Sequence, residues 1–444
     1  MDQNSYSEQR RRFLKQFLGG VACTAILPRT LDAQVHAFSN NNFVQIIEEL
    51  KSAQDNHDER FWHFVGQQYA LAPDLIYMNT GGLGPSPYPV IETVANYTMK
   101  LEQTSETGHE FVAKVRQKAC HFFNCGADEI AFTRNATEGM NIIARGLALK
   151  KGDEVLMTTH EHPGGAMPWL ALANDVGIRV RLFEPGQTAA ENLQRIESNL
   201  SSRTKVLAIS HITCTTGLKF PATEIAEICR RKNIIFVLDG AQVIGMQPVD
   251  FRQLGCDFYT ASGHKWLGGP KGTGILFIRQ EMLNRWRPTH VGAYSDRIYK
   301  LEEQILEHQP SAAAVEYGTR NTPLILGLGV AFDFLAAIGM DVVAARGQAL
   351  ARYFMERLQP LQAIRILTPL DSTSYGSIVT FQLNDGRARN HGELASAIHA
   401  NANIRLRPVA EHGLNAIRAS FHLFNNHEQV DRLIEVLHRM LTSD

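Results

Sequence analysis

Cysteine is scarce in this 444-residue chain, and the six that occur make no C-x-x-C pair. Cys23, Cys120, Cys125, Cys214, Cys229 and Cys256 are too few and too scattered for a disulfide scaffold or a zinc pattern, and no metal is expected. Cys120 and Cys125 could pair in an oxidising compartment, but buried free thiols are the expectation. Charge of one sign is missing as well. The 44 lysines and arginines stand against 45 acids, a formal net charge of −1. No global field draws nucleic acid or an acidic surface, and no nucleic-acid partner is expected. There is no internal repeat, heptad series or low-complexity tract. What remains is an ordinary globular composition, long enough for two domains and a large core.

The first stretch is unlike the rest. Arg10, Arg11 and Arg12 precede Phe13-Leu14-Lys15, and a modestly apolar segment follows, ending at Pro28. It is too short to span a bilayer as a stable helix. The run resembles a twin-arginine export signal, with a weak cleavage site before Gln34, so a periplasmic or exported location is expected. No membrane span is expected beyond it. Residues 43–72 have apolar positions at helical spacing, and "LIYMNTGGLGPSP" then breaks into a Gly/Pro turn cluster.

From about residue 130 the chain alternates. "EIAFT", "DEVLMTT", "RVRLFE", "KVLAISHIT" and "IIFVLDG" read as apolar strands, each followed by a helix or a turn. Nearly all-apolar strands separated by helices predict an α/β fold with a mostly parallel sheet covered on both faces. Ligands in such sheets bind beyond the carboxyl ends of the strands. After about residue 325 long helices dominate, with a few strands, which predicts a smaller C-terminal α+β domain. The expected organisation is 1–33 signal, 34–75 helical segment, 76–325 large domain and 326–444 small domain.

The residues that carry chemistry fall at strand ends. Asp239 closes "IIFVLDG", where a buried carboxylate is costly unless a cation faces it. Lys265 follows in "TASGHKWLGGPKGTG", between His264 and Trp266. A lysine that forms an imine must spend time unprotonated, and partial burial helps it. A pyridine ring that accepts electrons needs an acid to keep its nitrogen protonated. Lys265 and Asp239 meet those two needs of pyridoxal 5'-phosphate, and Gln242 is placed to donate to the ring's phenolic oxygen. "FTRNATEGMN" reads as strand, turn and helix, so Ala136 and Thr137 sit where free N–H groups favour a phosphate. Thr137 has a second reading as a helix cap. Ser262 and His264 can reach the same phosphate, and His162 of "THEHPGG" can stack on the ring. Lys271 does not belong to a phosphate loop, because Gly272 follows it where Ser or Thr is required.

From about Tyr77 onward the chain resembles the class V aminotransferases, of pyridoxal-phosphate fold type I. The segments "YMNTGG", "FTRNATEGMN", "EHPG", "SHITCTTGLKFP", "LDGAQ", "SGHK", "EYGTRNTP" and "IRASFHLFNN" occur in the family's order. The resemblance implies a seven-stranded, mostly parallel sheet. It makes Lys265 the Schiff-base residue and later the base at the substrate's α-carbon. It gives Asp239, Gln242 and His162 to the ring, and Ala136, Thr137, Ser262 and His264 to the phosphate. It points Thr319 of "EYGTRN" at a partner subunit's phosphate, hence a homodimer with shared sites. An amino-acid substrate needs a carboxylate anchor. Arg407 of "NIRLRPV" is the expected one, with Arg405 and Arg418 as competitors and Asn79 lining the same end. Desulfurases of the class carry a cysteine in the loop after that arginine, but "PVAEHGLNA" has none, and Cys214 stands where they usually have asparagine. The segments look closest to the isopenicillin N epimerase-like branch, so an amino-acid epimerase is expected, with His162, His290 or Tyr294 as opposite-face proton donor. A transaminase or C–S lyase on the same scaffold is the alternative, and an exported binding protein without chemistry is the reading outside enzymes.

Overall fold

The computed structural model describes residues 40–52, 58–384, 386 and 390–442. The expected export signal and Cys23 lie outside the described residues. The chain divides into two units, Met1–Glu48 and Glu49–Asp444. The sheets and the candidate site all belong to the second. In place of one helical stretch over 43–72 there are two helices, Asn40–Ser52 and Glu59–Gln67. Asp58 caps the second by accepting from the Arg60 and Phe61 amides.

After a short strand β1 (Ile76–Tyr77), the five apolar runs become β2 (Ile130–Thr133), β3 (Glu154–Thr158), β4 (Arg179–Phe183), β5 (Thr204–Ser210) and β6 (Ile235–Asp239), and two further strands, β7 (Phe258–Ser262) and β8 (Gly274–Ile278), follow. Strands β2 to β8 form one seven-stranded sheet in the order β2-β8-β7-β6-β5-β3-β4. All neighbours from β7 to β4 are parallel. Only β8 runs against both of its neighbours. Every residue of β2, β3, β7 and β8 is buried, as a sheet covered on both faces requires. The helices Ala136–Gly146 and Pro163–Val176 pack on each other, and Met140, Ile143, Trp169 and Leu172 share a core with Val206, Val237 and Phe258 of the strands.

A hairpin of β9 (Asp296–Lys300) and β10 (Ile305–His308) follows. The remaining strands are β11 (Ile364–Ile366), β12 (Ile378–Leu383), β13 (Ile404–Arg405), β14 (Arg407–Val409) and β15 (Ala416–Ser420). Four of them make an antiparallel sheet, β11-β12-β15-β14. Phe354, Phe381, Ile398, Ile417, Phe421 and Leu433 fill its core. Helix Thr322–Ile338 carries residue 325 in its first turn and packs on Tyr88–Thr104 and Val112–Phe123. No single helix among the described residues is long and apolar enough to cross a membrane.

The chain before the large sheet does not stay with it. Strand β1 pairs in parallel with β13, and Met78 is buried in the core of the small sheet. Met78 donates its amide to the Arg405 carbonyl at 3.0 Å and accepts from the Ser420 amide at 2.9 Å. Residues 79–86 then cross to the lysine loop. The Gly84 amide donates to the His264 carbonyl at 2.8 Å, and Ser86 Oγ to the Gly269 carbonyl at 3.1 Å. At Gly84 a Cβ would lie 1.9 Å from the Lys265 carbonyl oxygen, so only glycine permits this approach.

Candidate active site

Five parallel-strand ends deliver the groups that converge. Asp239 ends β6 and is buried at 6% exposure. Its Oδ1 accepts from the Ala241 amide at 2.9 Å, and its Oδ2 accepts nothing among the described residues. Lys265, three residues past β7, is half-buried. Burial holds its amine below the usual lysine range. Arg418 and Arg407 push the same way, against Asp239 and Cys214. Lysine, acid, thiol and both guanidinium groups therefore act on one another, although they come from β6, β7, the turn after β5 and the antiparallel sheet.

Gln242 is fixed at both ends of its amide. Its Nε2 donates to the Gly81 carbonyl at 2.8 Å, and its Oε1 accepts from Trp266 Nε1 at 2.8 Å. One amide hydrogen is left to point at a ligand. His162 is the N-cap of helix Pro163–Val176, and its Nδ1 accepts from the Gly164 amide at 3.0 Å. The ring proton is thereby assigned to Nε2. Burial, with help from Lys265, lowers its proton affinity and favours the neutral ring.

The phosphate residues gather where two helices begin. Asn135, not Thr137, caps helix Ala136–Gly146 by accepting from the Glu138 amide. That leaves the exposed Thr137 hydroxyl free of capping duty. Thr137 Oγ1 would lie 2.2 Å from a Cβ at Gly164, so the starts of helices Ala136–Gly146 and Pro163–Val176 touch. Two helix N-termini at one point favour an anion. The Ala136 amide has only a 3.3 Å bond, to Ser262 Oγ. His264 Nδ1 is buried without a partner. An orphaned imidazole nitrogen beside under-used amides is what an absent phosphate would satisfy. Thr319 is exposed and lines a separate cavity of about 620 Å³ with Thr133, Asn135 and Thr273.

The two candidate anchors for a substrate carboxylate have different surroundings. Arg407 and Arg418 are cross-strand partners in the β14–β15 pair, so both point to the same face. Arg407 pairs with Glu411 through Nη2. Arg418, at 1% exposure, has no acid partner among the described residues. Its Nη1 donates to the Cys214 carbonyl at 2.7 Å and its Nη2 to Asn79 Oδ1 at 3.2 Å. Burial, then Arg407, presses it down to about 9, and it remains a cation at neutral pH. Arg418 Nε, Arg407 Nη1 and Ser420 Oγ are buried without partners. Arg405 is exposed, and its backbone pairs with β1 instead. Sequence spacing ranked Arg407 first, because it cannot show which arginine has already found an acid.

Other expectations resolve at the periphery. Tyr294 packs edge-on against His109, and His290 bonds Thr289. Cys120 and Cys125 are half-buried at the end of helix Val112–Phe123, not enclosed as expected, and both are free. Cys214 is enclosed, and burial keeps its thiol above the ordinary range.

Comparison with known proteins agrees with this geometry. The family model described as aminotransferase class-V matches residues 85–433. A cysteine desulfurase of Serratia proteamaculans is 29% identical over 388 residues, covering 82% of this chain and 93% of its own. The apo structure of a cysteine desulfurase from Thermococcus onnurineus NA1 superposes with a TM-score of 0.77 at 25% identity, over 85% of this chain and 97% of that one. The protein C-DES has two similar structures. One is a variant with glycine covalently linked to its PLP cofactor (TM-score 0.76, 26% identity, 84% of this chain and 98% of that one). The other is described as the cystine C–S lyase with its product cysteine persulfide (TM-score 0.76, 27% identity, 82% and 97%). These relatives are desulfurases and a C–S lyase rather than epimerases.

Proposed function

The chain belongs to the class V aminotransferase family and is a pyridoxal-phosphate enzyme, and on that footing we propose that it is a C–S lyase acting on a sulfur-substituted cysteine. Bound pyridoxal phosphate supplies an aldehyde carbon for the lysine amine and a protonated ring that draws electrons from the substrate's α-carbon. The observation that carries the reading is the pairing of a buried, acid-free Arg418 beside Lys265 with a β14–β15 loop, just before it, that has no thiol. The first holds an amino acid by its carboxylate. The second removes the group a desulfurase needs to take up sulfur. Cys214 does not replace it, because an enclosed, protonated thiol is a poor nucleophile.

The division of labour follows from the geometry. Arg418 and Asn79 orient the carboxylate. Asp239, Gln242 and His162 hold the ring in place, while Ala136, Thr137, Ser262 and His264 hold the phosphate. In a homodimer Thr319 stands toward the partner subunit's phosphate. Lys265, half-buried and with burial favouring its neutral form, would be the base that removes the α-proton. The β-carbon–sulfur bond then breaks, and its electron pair leaves with sulfur. The three-carbon fragment is released by hydrolysis as pyruvate and ammonia.

The test is product analysis of the loaded enzyme with L-cystine and S-alkyl cysteines in heavy water. Pyruvate and ammonia are expected in equal amounts, with cysteine persulfide from cystine, and none from Lys265→Ala. Cα exchange with inversion and no pyruvate would replace this reading with an epimerase. Keto acid with aminated cofactor would make it a transaminase, and alanine would make it a desulfurase.

A further inference from the structure

Glu161 plays no part in the chemistry above, yet its carboxyl is 5% exposed and lies against the site. It precedes His162 in the turn after β3. Thr158 Oγ1, at the end of β3, donates to its Oε1 at 2.6 Å. Ser210 Oγ, at the end of β5, donates to its Oε2 at 2.7 Å. Ser210 is also the cross-strand partner of Asp239 in the β5–β6 register. Two carboxyl groups therefore share the carboxyl ends of β3, β5 and β6, and no cation bonds Glu161 among the described residues.

The basic groups around it are engaged elsewhere. His160 places Nε2 3.2 Å from Glu184 and meets Thr215 through Nδ1. His162 takes the Gly164 amide, and His211 meets the Tyr259 hydroxyl. Lys265 acts on Asp239. Two acids in one poorly solvated patch do not both ionise cheaply.

We propose that Glu161 is a positioning residue for the cofactor ring: in the cofactor-free protein it is partly protonated at neutral pH, and it gives up that proton when the ring's cationic nitrogen settles against Asp239. Burial, opposed by the two hydroxyl bonds and reinforced by Asp239, pushes its carboxyl up to about 7. A positive charge beside Asp239 cancels the repulsion between the acids. The Glu161 O–H then breaks, its electron pair stays on oxygen, and the proton passes to water. Ionised Glu161 in turn strengthens the field that keeps the ring nitrogen protonated. The inference rests on the cofactor and not on which substrate bond is cut.

Calorimetric titration of the cofactor-free full chain with pyridoxal phosphate at pH 7, in two buffers of different ionisation enthalpy, counts the protons. The wild type should release about half a proton per site more than Glu161→Gln, because the group is close to half-protonated there. Equal counts overturn the proposal, since a purely structural Glu161 would change stability and leave the count alone. Infrared difference spectra of the wild type on loading read the same event as loss of a protonated-carboxyl band. If Glu161→Gln does not fold, that measurement decides alone, and the absence of a lost band overturns the proposal.

Discussion

Arg418 stands across from Arg407 with one guanidinium nitrogen unpartnered and only amide oxygens on the other two. Two like charges opposite each other on one sheet face are unfavourable until an anion lies between them. Arg407 already has Glu411 as its counter-charge, so among the described residues the guanidinium without one is Arg418. Arg418→Lys keeps the charge and loses the fork. Steady-state kinetics should show kcat/KM falling about 100-fold, or ~2.7 kcal/mol of transition-state binding. Arg407→Lys should cost less than 10-fold, and the reverse order would return the carboxylate to Arg407. At this scale Asp239 and Lys265 were legible in sequence because each is anomalous, an acid ending an apolar strand and a lysine inside a glycine run. Arg418 was legible only as a competitor to Arg407, and Glu161 was not singled out. Their importance comes from partners brought by strand register, and "AIRAS" and "HEHP" carry no sign of it.

The elements show the same division. Apolar runs announced β2 to β6, most clearly β2, β3 and β5, because strands buried on both faces have little polar sequence, whereas β7 and β8 were not announced. The reversed direction of β8 was not announced, since direction leaves no mark on composition. Nor was the pairing of β1 with β13, two residues each and far apart in the chain. That pairing sets the path of residues 79–86, which press Gly84 onto the lysine loop. Gly84→Ala puts a Cβ 1.9 Å from a backbone oxygen that has no flexible tip to yield. Overpacking of this kind costs ~1–3 kcal/mol, and here the loop that must shift carries Lys265. The variant should unfold at lower denaturant and bind the cofactor more weakly, read as reduced visible absorbance at equal cofactor. Unchanged absorbance would show that the loop moves without disturbing the lysine.

For the whole molecule, three fully enclosed groups contribute to the response to acid with opposite signs. Burial first of all drives His211 and His422 down to about 3 from an ordinary value of 6.5. Unfolding lets each take up a proton below 6.5, so each lowers stability as pH falls through that window. Glu161 has the opposite sign. Folded, it holds a proton up to about 7 that the unfolded chain gives up above 4.5, so it lowers stability as pH rises. Burial lowers His160, His162 and His264 in the same sense as His211 and His422, and raises Glu92 to about 7 in the same sense as Glu161, so the share of Glu161 is read by comparison with a variant. Glu161→Gln removes one opposing proton, and denaturant titrations between pH 4.5 and 6.5 should show the slope of stability against pH raised by ~1.4 kcal/mol per pH unit. Equal slopes would place an ionised carboxylate at residue 161. The backbone bonds from Met78 to Arg405 and Ser420, and from Gly84 to His264, bear on how the protein is made. A chain emerging from the ribosome can complete the seven-stranded sheet and still leave its reactive amine open to water. The wall that shuts it in docks only after residues 404–420 exist, so retention of the coloured cofactor is a signature that both ends of the fold have met.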